Sequence, residues 1–344
     1  MSRGPVHIAF LGCGFISKVH ARHLKALRGD VIWSFASRSA EKAEDFRRRL
    51  GGTLSWGSYE QAMHDPEVDA VVVAVPPHRH EELALQALDA GKHVLVEKPA
   101  FPELDAYDRV MEARDRAGRV VIVGENDHYK PLAVELRRLL DSGVIGDFLF
   151  GHFATVMRKP KTADDWRNDE SIAGGDAFFE EGIHWLHVAG SLGPEIVDIR
   201  GYRPDDSDVE PLEGDARSKS MLVSFEYDTG AAGALFYSRE IPTFFRGLGR
   251  SRLYGRDGVI TFESNGGFVF VRGRGWPKLK FPGFRDIRGY QAMYRDFVRA
   301  IGGGPPVEMS LARAREDHQL MERVYESVGN PRVRDQRNGG ERDE

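Results

Sequence analysis

Apolar and polar positions over the first 124 residues follow two alternating rhythms. Short apolar runs at Val6–Leu11, Val31–Ala36, Asp69–Val75, His93–Val96 and Val120–Val123 predict strands buried on both faces. Between them, mixed stretches predict helices at Phe15–Leu27, Ala40–Leu50, Tyr59–His64, Glu81–Ala90 and Pro102–Ala117. Their ends carry the expected punctuation: Ser58 as an N-cap, Pro102 as an opener, Gly91 and Gly118 as stops. Regular alternation of strand and helix predicts an α/β unit built on a doubly wound parallel sheet, whose ligands sit at the carboxyl ends of the strands.

Beyond Gly124 the rhythm changes. A helix at Leu132–Asp141 leads to a long strand at Asp147–Met157, then a loop with Trp166 and Gly174-Gly175, then a helix over Glu181–Ala189. From Ile196 to about Phe281 the signals are mostly strands, with Lys219–Tyr227 and Ala232–Ser238 forming a hairpin around Asp228-Thr229-Gly230. Two helices, Tyr290–Ile301 and Leu311–Val328, close the pattern. This predicts an α+β unit with a large, mostly antiparallel sheet, helices on one face and the other face open. The expected division is a dinucleotide-binding unit over 1–124, a substrate-binding and oligomerisation unit over 125–330, and a charged tail over 331–344.

Composition narrows the possibilities. The chain of 344 residues is 41% hydrophobic and 29% charged, which suits two globular domains rather than a disordered chain. A net charge of −5 leaves no basic surplus for phosphate backbones, so nucleic acid is not an expected partner. No apolar run approaches the ~20 residues needed to span a bilayer, so no membrane is expected either. A single cysteine, Cys13, precludes an internal disulfide, and the cytoplasm is the expected compartment. The open sheet face predicts a homodimer or homotetramer.

The turn Gly12-Cys13-Gly14-Phe15-Ile16-Ser17 joins the first strand to the first helix. One glycine permits the tight turn, and the next lets a diphosphate approach the backbone at the helix N-terminus. Ser17 replaces the third glycine of the dinucleotide fingerprint. The second strand ends Ala36-Ser37-Arg38, with no carboxylate for a ribose 2′-hydroxyl. Ser37 and Arg38 suit a 2′-phosphate instead, which favours NADP(H) over NAD(H), with Glu41 as a counter-signal. Cys13 is expected to fill the turn rather than act as a nucleophile.

Several separated motifs resemble the Gfo/Idh/MocA family of glucose–fructose oxidoreductase and inositol dehydrogenase. They are Gly12-Cys13-Gly14 with His20, the segment Ala74-Val75-Pro76-Pro77-His78-Arg79-His80, and Ala90-Gly91-Lys92-His93-Val94-Leu95-Val96-Glu97-Lys98-Pro99. Trp166-Arg167, Gly174-Gly175 and Glu180 with His184 then follow in the family's order. The resemblance spans residues 6–330 and implies a Rossmann domain and hydride transfer between a nicotinamide and a sugar or polyol carbinol. It implies that Lys98 is the signature lysine and His184 the acid–base histidine. Two family aspartates are replaced here, by Glu180 and His187.

The chemistry follows from those residue types. A carbinol needs a base for its hydroxyl proton and a donor for its oxygen as charge develops. Lys98 and His184 are expected to share that task, with Glu180, four residues earlier on the same helical face, orienting the imidazole. Besides the turn (Gly12, Cys13, Gly14, Phe15, Ile16) and Ser37 and Arg38, we expect Pro76, His80, Glu97, Lys98 and Asn126 to bind the cofactor. Lys98, Tyr129, Trp166, Arg167 and His184 are expected to line the substrate site. Glu180, His184 and His187 also have a spacing that can hold zinc, but no metal is expected. Two other functions use the same cofactor fold: a glycosidase or lyase working by transient oxidation of a sugar hydroxyl, and a non-catalytic regulatory protein.

Overall fold

The computed structural model describes residues 4–159, 165–204, 219–243 and 249–329; the expected charged tail lies outside them. The first unit is a six-stranded parallel sheet of β1 (Val6–Leu11), β2 (Val31–Ala36), β3 (Ser55–Trp56), β4 (Ala70–Val73), β5 (His93–Val96) and β6 (Val121–Val123). Their order is β3-β2-β1-β4-β5-β6, so the winding reverses between β1 and β4. That switch point opens a crevice at the carboxyl ends of the strands. Helices α1 (Phe15–Leu24), α2 (Ala40–Leu50), α3 (Tyr59–His64), α4 (His80–Asp89) and α5 (Leu104–Ala117) cover the sheet. Of the expected caps, Ser58 accepts from Gln61 N and Gly118 ends α5 in the left-handed region, whereas α5 opens at Leu104, two residues beyond Pro102; Ser39 also caps α2, accepting from Lys42 N. The apolar runs are uninterrupted because both faces of this sheet are covered, and every residue of β1, β4, β5 and β6 is buried.

The second unit begins with α6 (Pro131–Asp141) and β7 (Phe148–Val156), followed by α7 (Glu170–Ala173) and α8 (Ala177–Gly190). Strands β8 (Ile196–Tyr202), β9 (Ser220–Tyr227), β10 (Ala232–Ser238), β11 (Arg250–Gly255), β12 (Gly258–Glu263), β13 (Val269–Arg272) and β14 (Lys278–Lys280) complete an eight-stranded sheet with β7. Its order is β14-β13-β12-β11-β7-β10-β9-β8, and only the β7–β10 pairing is parallel among the described strands. One face packs Phe153, Leu235, Leu253, Ile260 and Val271 against α6, α8 and α10 (Leu311–Gly329). The opposite face carries Phe150, Phe236 and Phe270, which are 59%, 42% and 38% exposed.

The expected division at residue 124 needs one correction. Helix α9 (Tyr290–Ile301), assigned by its position in the chain to the second unit, sends Tyr290, Met293, Tyr294 and Phe297 into the first core. Its strong apolar stripe is buried against α1, where Tyr294 Oη lies 2.6 Å from His20 Nδ1. The chain therefore returns to its first domain and ties the two units together across the crevice.

Candidate active site

The cofactor turn is shaped by backbone geometry. Gly12 has φ +121°, and a Cβ there would lie 2.4 Å from the Ala74 carbonyl oxygen, so no side chain fits. At Gly14 a Cβ would meet nothing within 4 Å, so open space lies above the start of α1. That helix has no capping side chain and no acidic residue in its first turn. The arrangement fits a diphosphate held at a helix N-terminus. Ser17, in place of the third glycine, is buried and donates to the Gly12 carbonyl at 2.7 Å, which staples the turn. Burial pushes the Cys13 thiol up to about 12, which leaves it a protonated filler. Ser37 is buried at the end of β2 and accepts from Ser39 N, while Arg38 is exposed beside it.

A cleft of about 720 Å³ runs from Phe15 and Ile16 across the carboxyl ends of the first sheet to the second. Lys98, His184, Glu180, Glu97, Asn126, Trp166 and Arg167 all line it, although up to 87 residues separate the ends of that set (Glu97 to His184). Lys98 follows β5 at a cis Lys98–Pro99 bond and donates to the backbone carbonyl of Glu180 at 2.7 Å. Glu97, buried at the cleft wall, lies 2.7 Å from His20 Nε2. Gly124 makes room for it, since a Cβ there would sit 2.8 Å from Glu97 Oε1. Asn126 donates to Asp127 Oδ1 and to the Arg288 carbonyl.

Helix α8 presents His184 and Glu180 on one face, as the four-residue spacing requires, but the two are not partners. Glu180 accepts from Arg167 Nε at 2.9 Å and from Arg239 Nη1 at 3.4 Å. Two guanidinium charges hold that carboxylate away from the ring. The group on His184 Nδ1 is instead Glu125 Oε1, at 2.6 Å, carried at the end of β6. This corrects the expectation that Glu180 orients the imidazole. Burial opposes ionisation of Glu125, yet the adjacent His184 and its hydrogen bond hold the carboxyl below the usual carboxylate range. Asp127 behaves likewise, with Lys130 and His184 overcoming burial.

Two further expectations need correction. His80 is buried, with Nδ1 3.0 and 2.9 Å from the carbonyls of Pro99 and Ala100 and Nε2 2.8 Å from that of Val75. It ties the turn after β4 to the turn after β5 and supports the cofactor crevice from behind; of the first turn, Val75 and Pro77 line the cleft, whereas Pro76 does not. Tyr129 is turned away from the cleft: its hydroxyl donates to Asp296 at 2.6 Å and accepts from Met309 N at 3.0 Å. Both side chains are used up by buried backbone or carboxylate partners, which a sequence motif does not reveal.

Nor do Glu180, His184 and His187 converge on one point. His187 is buried, with Nδ1 2.7 Å from Asp317 and Nε2 2.9 Å from His128 Nδ1. Burial disfavours its charged form, but Asp317 outweighs that and raises its pKa, whereas burial and the neighbouring His187 push His128 down to about 2. Among the described residues, the group of possible ligand atoms that does form is Glu125, Asp127 and His184, within 4.8 Å of one another. These atoms are already engaged with one another, with Lys130 and with Asn126.

Glu125 and Arg239 were not anticipated. A signal for Glu125 exists, because it lies two residues beyond an apolar strand, at the strand end where parallel sheets bind ligands. Arg239 carries no such signal, since its place beside Glu180 depends on how β10 meets α8.

Comparison with known proteins gives a consistent result. Residues 6–125 match the family model described as "Oxidoreductase family, NAD-binding Rossmann fold", and residues 133–261 match the GFO/IDH/MocA C-terminal domain. A 4-carboxy-2-hydroxymuconate-6-semialdehyde dehydrogenase of Sphingobium sp. (strain NBRC 103272 / SYK-6) is 32% identical over 92% of this chain and 96% of its own length. An uncharacterised oxidoreductase of Rhizobium meliloti is 33% identical, and there the match spans 61% of each chain. A solved levoglucosan dehydrogenase in complex with NADH and levoglucosan superposes with a TM-score of 0.82 at 21% identity, covering 94% of this chain and 97% of that one.

Proposed function

This chain belongs to the Gfo/Idh/MocA family of NAD(P)-dependent oxidoreductases, and from that premise we propose that it interconverts a carbinol and a carbonyl on a sugar-like, polyol-like or related small molecule. The observation that carries this reading is the meeting of Lys98 and His184 in one cleft beside the glycine turn. Levoglucosan is the sugar-like compound named for the structural relative, and the full-length sequence relative is named for a carboxylated semialdehyde.

Gly12, Gly14, Phe15 and Ile16 would hold the diphosphate side of the dinucleotide, with Val75, Pro77, Glu97 and Asn126 towards its nicotinamide end. When bound, the nicotinamide supplies the hydride acceptor or donor. The chain's own residues control the proton and the geometry. Glu125 occupies His184 Nδ1, so Nε2 is the nitrogen left to take the hydroxyl proton of the substrate. The Lys98 ammonium, pinned by the Glu180 carbonyl, points a remaining N–H at the same oxygen and stabilises it as negative charge develops. Trp166, with the Arg167 guanidinium 4.6 Å from its ring centre, walls the cleft on the second-domain side.

For the cofactor we favour NADP(H), with NAD(H) as the competing form. The basis is the missing carboxylate after β2 and the exposed Arg38 beside Ser37. Arg38→Ala should lower the ratio of kcat/KM for NADP to that for NAD by ~10-fold or more; an unchanged ratio would defeat the preference. Lys98→Ala and His184→Ala should each reduce kcat by ~10²–10⁴-fold while cofactor binding, followed by fluorescence titration, persists. Full turnover in the double variant would reject the proton-handling scheme.

A further inference from the structure

The cleft holds more cationic chemistry than proton transfer requires. Around Glu180 stand Lys98, Lys159, Arg167 and Arg239, against the carboxylates of Asp165, Glu180 and Glu181. The unusual member is Arg239, just beyond β10, which is only 5% exposed. A guanidinium presents five N–H donors in one plane. The contacts to it are long: Nη1 to Glu180 Oε2 at 3.4 Å, and Nε 3.3 Å from Glu181 Oε2 without forming a hydrogen bond. Both carboxylates have closer partners. Glu180 is held by Arg167 at 2.9 Å, and Glu181 pairs with Lys159. The guanidinium is ion-paired to both carboxylates, yet its buried Nε lacks a hydrogen bond, which is costly. Its planar fork matches a carboxylate.

The position of Arg239 says where that acceptor would sit. Lys98 grips the backbone carbonyl of Glu180 while Arg239 reaches its side chain, so the two cations flank a single residue. A small molecule whose hydroxyl lies at Lys98 can extend an anionic group to Arg239 within one short carbon skeleton. We propose that Arg239 receives a carboxylate of the substrate, and that the substrates are hydroxy acids of the sugar-acid type rather than neutral polyols. This rests on reading the cleft as a carbinol-oxidising site. The carboxylate would take no part in bond making: with the dinucleotide bound, the carbinol hydride would pass to it, the hydroxyl proton would pass to His184, and the carboxylate would only anchor.

The test uses the full chain with saturating cofactor and pairs of aldonates and alditols that differ only at the terminal group: gluconate and glucitol, galactonate and galactitol, threonate and threitol. Cofactor reduction is followed by absorbance, and binding by calorimetry. The expected result is a kcat/KM for at least one aldonate ~10-fold or more above that of its alditol. In Arg239→Gln that ratio should fall ~10²-fold, mainly through KM, and Arg239→Lys should fall in between because it keeps the charge without the fork. Cofactor affinity and the melting temperature of both variants establish that they are folded. A ratio unchanged in both variants overturns the assignment, as does preference for the alditols, which leaves the oxidoreductase reading standing. Aldonate binding that depends on Arg239 without any turnover supports the anion site and rejects the carbinol reading. Neither binding nor turnover of any aldonate overturns the anion site.

Discussion

At the scale of single residues, this site depends on which acidic group reaches which base. A glutamate four positions before a histidine on a helix looks like its natural partner, yet here Glu180 is held by two arginines and Glu125 takes the imidazole. Glu125 lies below the usual carboxylate range, so the folded protein favours its ionised form. The stability it contributes is complete above its ordinary value of 4.5 and is lost as pH falls through the depressed folded value. Thermal melts should therefore show the stability advantage of the wild type over Glu125→Gln shrinking as pH drops below about 4.5. An advantage that stays unchanged as pH falls well below 4.5 would contradict the assigned linkage. Loss of the carboxylate should also cut kcat by ~10²-fold or more, because the imidazole loses the group that fixes its orientation and tautomer.

At the scale of elements, the β1-turn-α1 unit separates two roles for glycine. Gly12 is required by the fold itself: its φ is +121° and the Ala74 carbonyl closes the space where a Cβ would go. Gly14 has an ordinary negative φ and open space, so its lack of a side chain serves only what approaches from outside. Gly12→Ala should destabilise the protein by at least ~2 kcal/mol by denaturant titration. Gly14→Ala should leave stability within ~0.5 kcal/mol while weakening dinucleotide binding ~10-fold or more. Equal effects on stability would refute this separation. The same unit shows what one serine can do, because Ser17 uses its hydroxyl to close the turn where the fingerprint has a third glycine.

At the scale of the whole molecule, α9 crosses back to the first core, and α10 starts in that core at Leu311 and Ala314 and runs on against the second sheet at Met321 and Val324, so the crevice is framed by parts of the chain distant in sequence. The opposite face of the large sheet is different. Phe150, Phe236 and Phe270 stand exposed on it, and the described part of this chain does not cover them. An apolar sheet face of this kind is expected to be buried against a second copy. Light scattering at micromolar concentration should give a dimer or a larger even assembly, and Phe150→Glu combined with Phe236→Glu should shift it towards monomer. A monomeric wild type would reject that expectation. No helix among the described residues is long and apolar enough to cross a membrane.

What the sequence settled alone was everything governed by local periodicity and backbone stereochemistry. The five apolar runs and their helices appear nearly residue for residue, with β1, β2, β5, α2, α3 and α9 at the expected bounds, because strand burial, N-caps and left-handed glycines are local properties. The two-residue strand β3 was missed for the opposite reason: Ser55-Trp56 is too short to show a period and exists only through its pairing with Phe35-Ala36. Motif positions brought Lys98, His184, Trp166 and Arg167 into view, and all four line one cleft. Partnership was not legible. Whether His80 meets a ligand or three carbonyls, whether Tyr129 faces the cleft or Asp296, and whether Glu125 or Glu180 holds His184 depend on contacts between segments far apart in the chain. A hydrogen bond or ion pair acts over a few ångströms of space, so only the tertiary structure, which fixes those distances, could decide them.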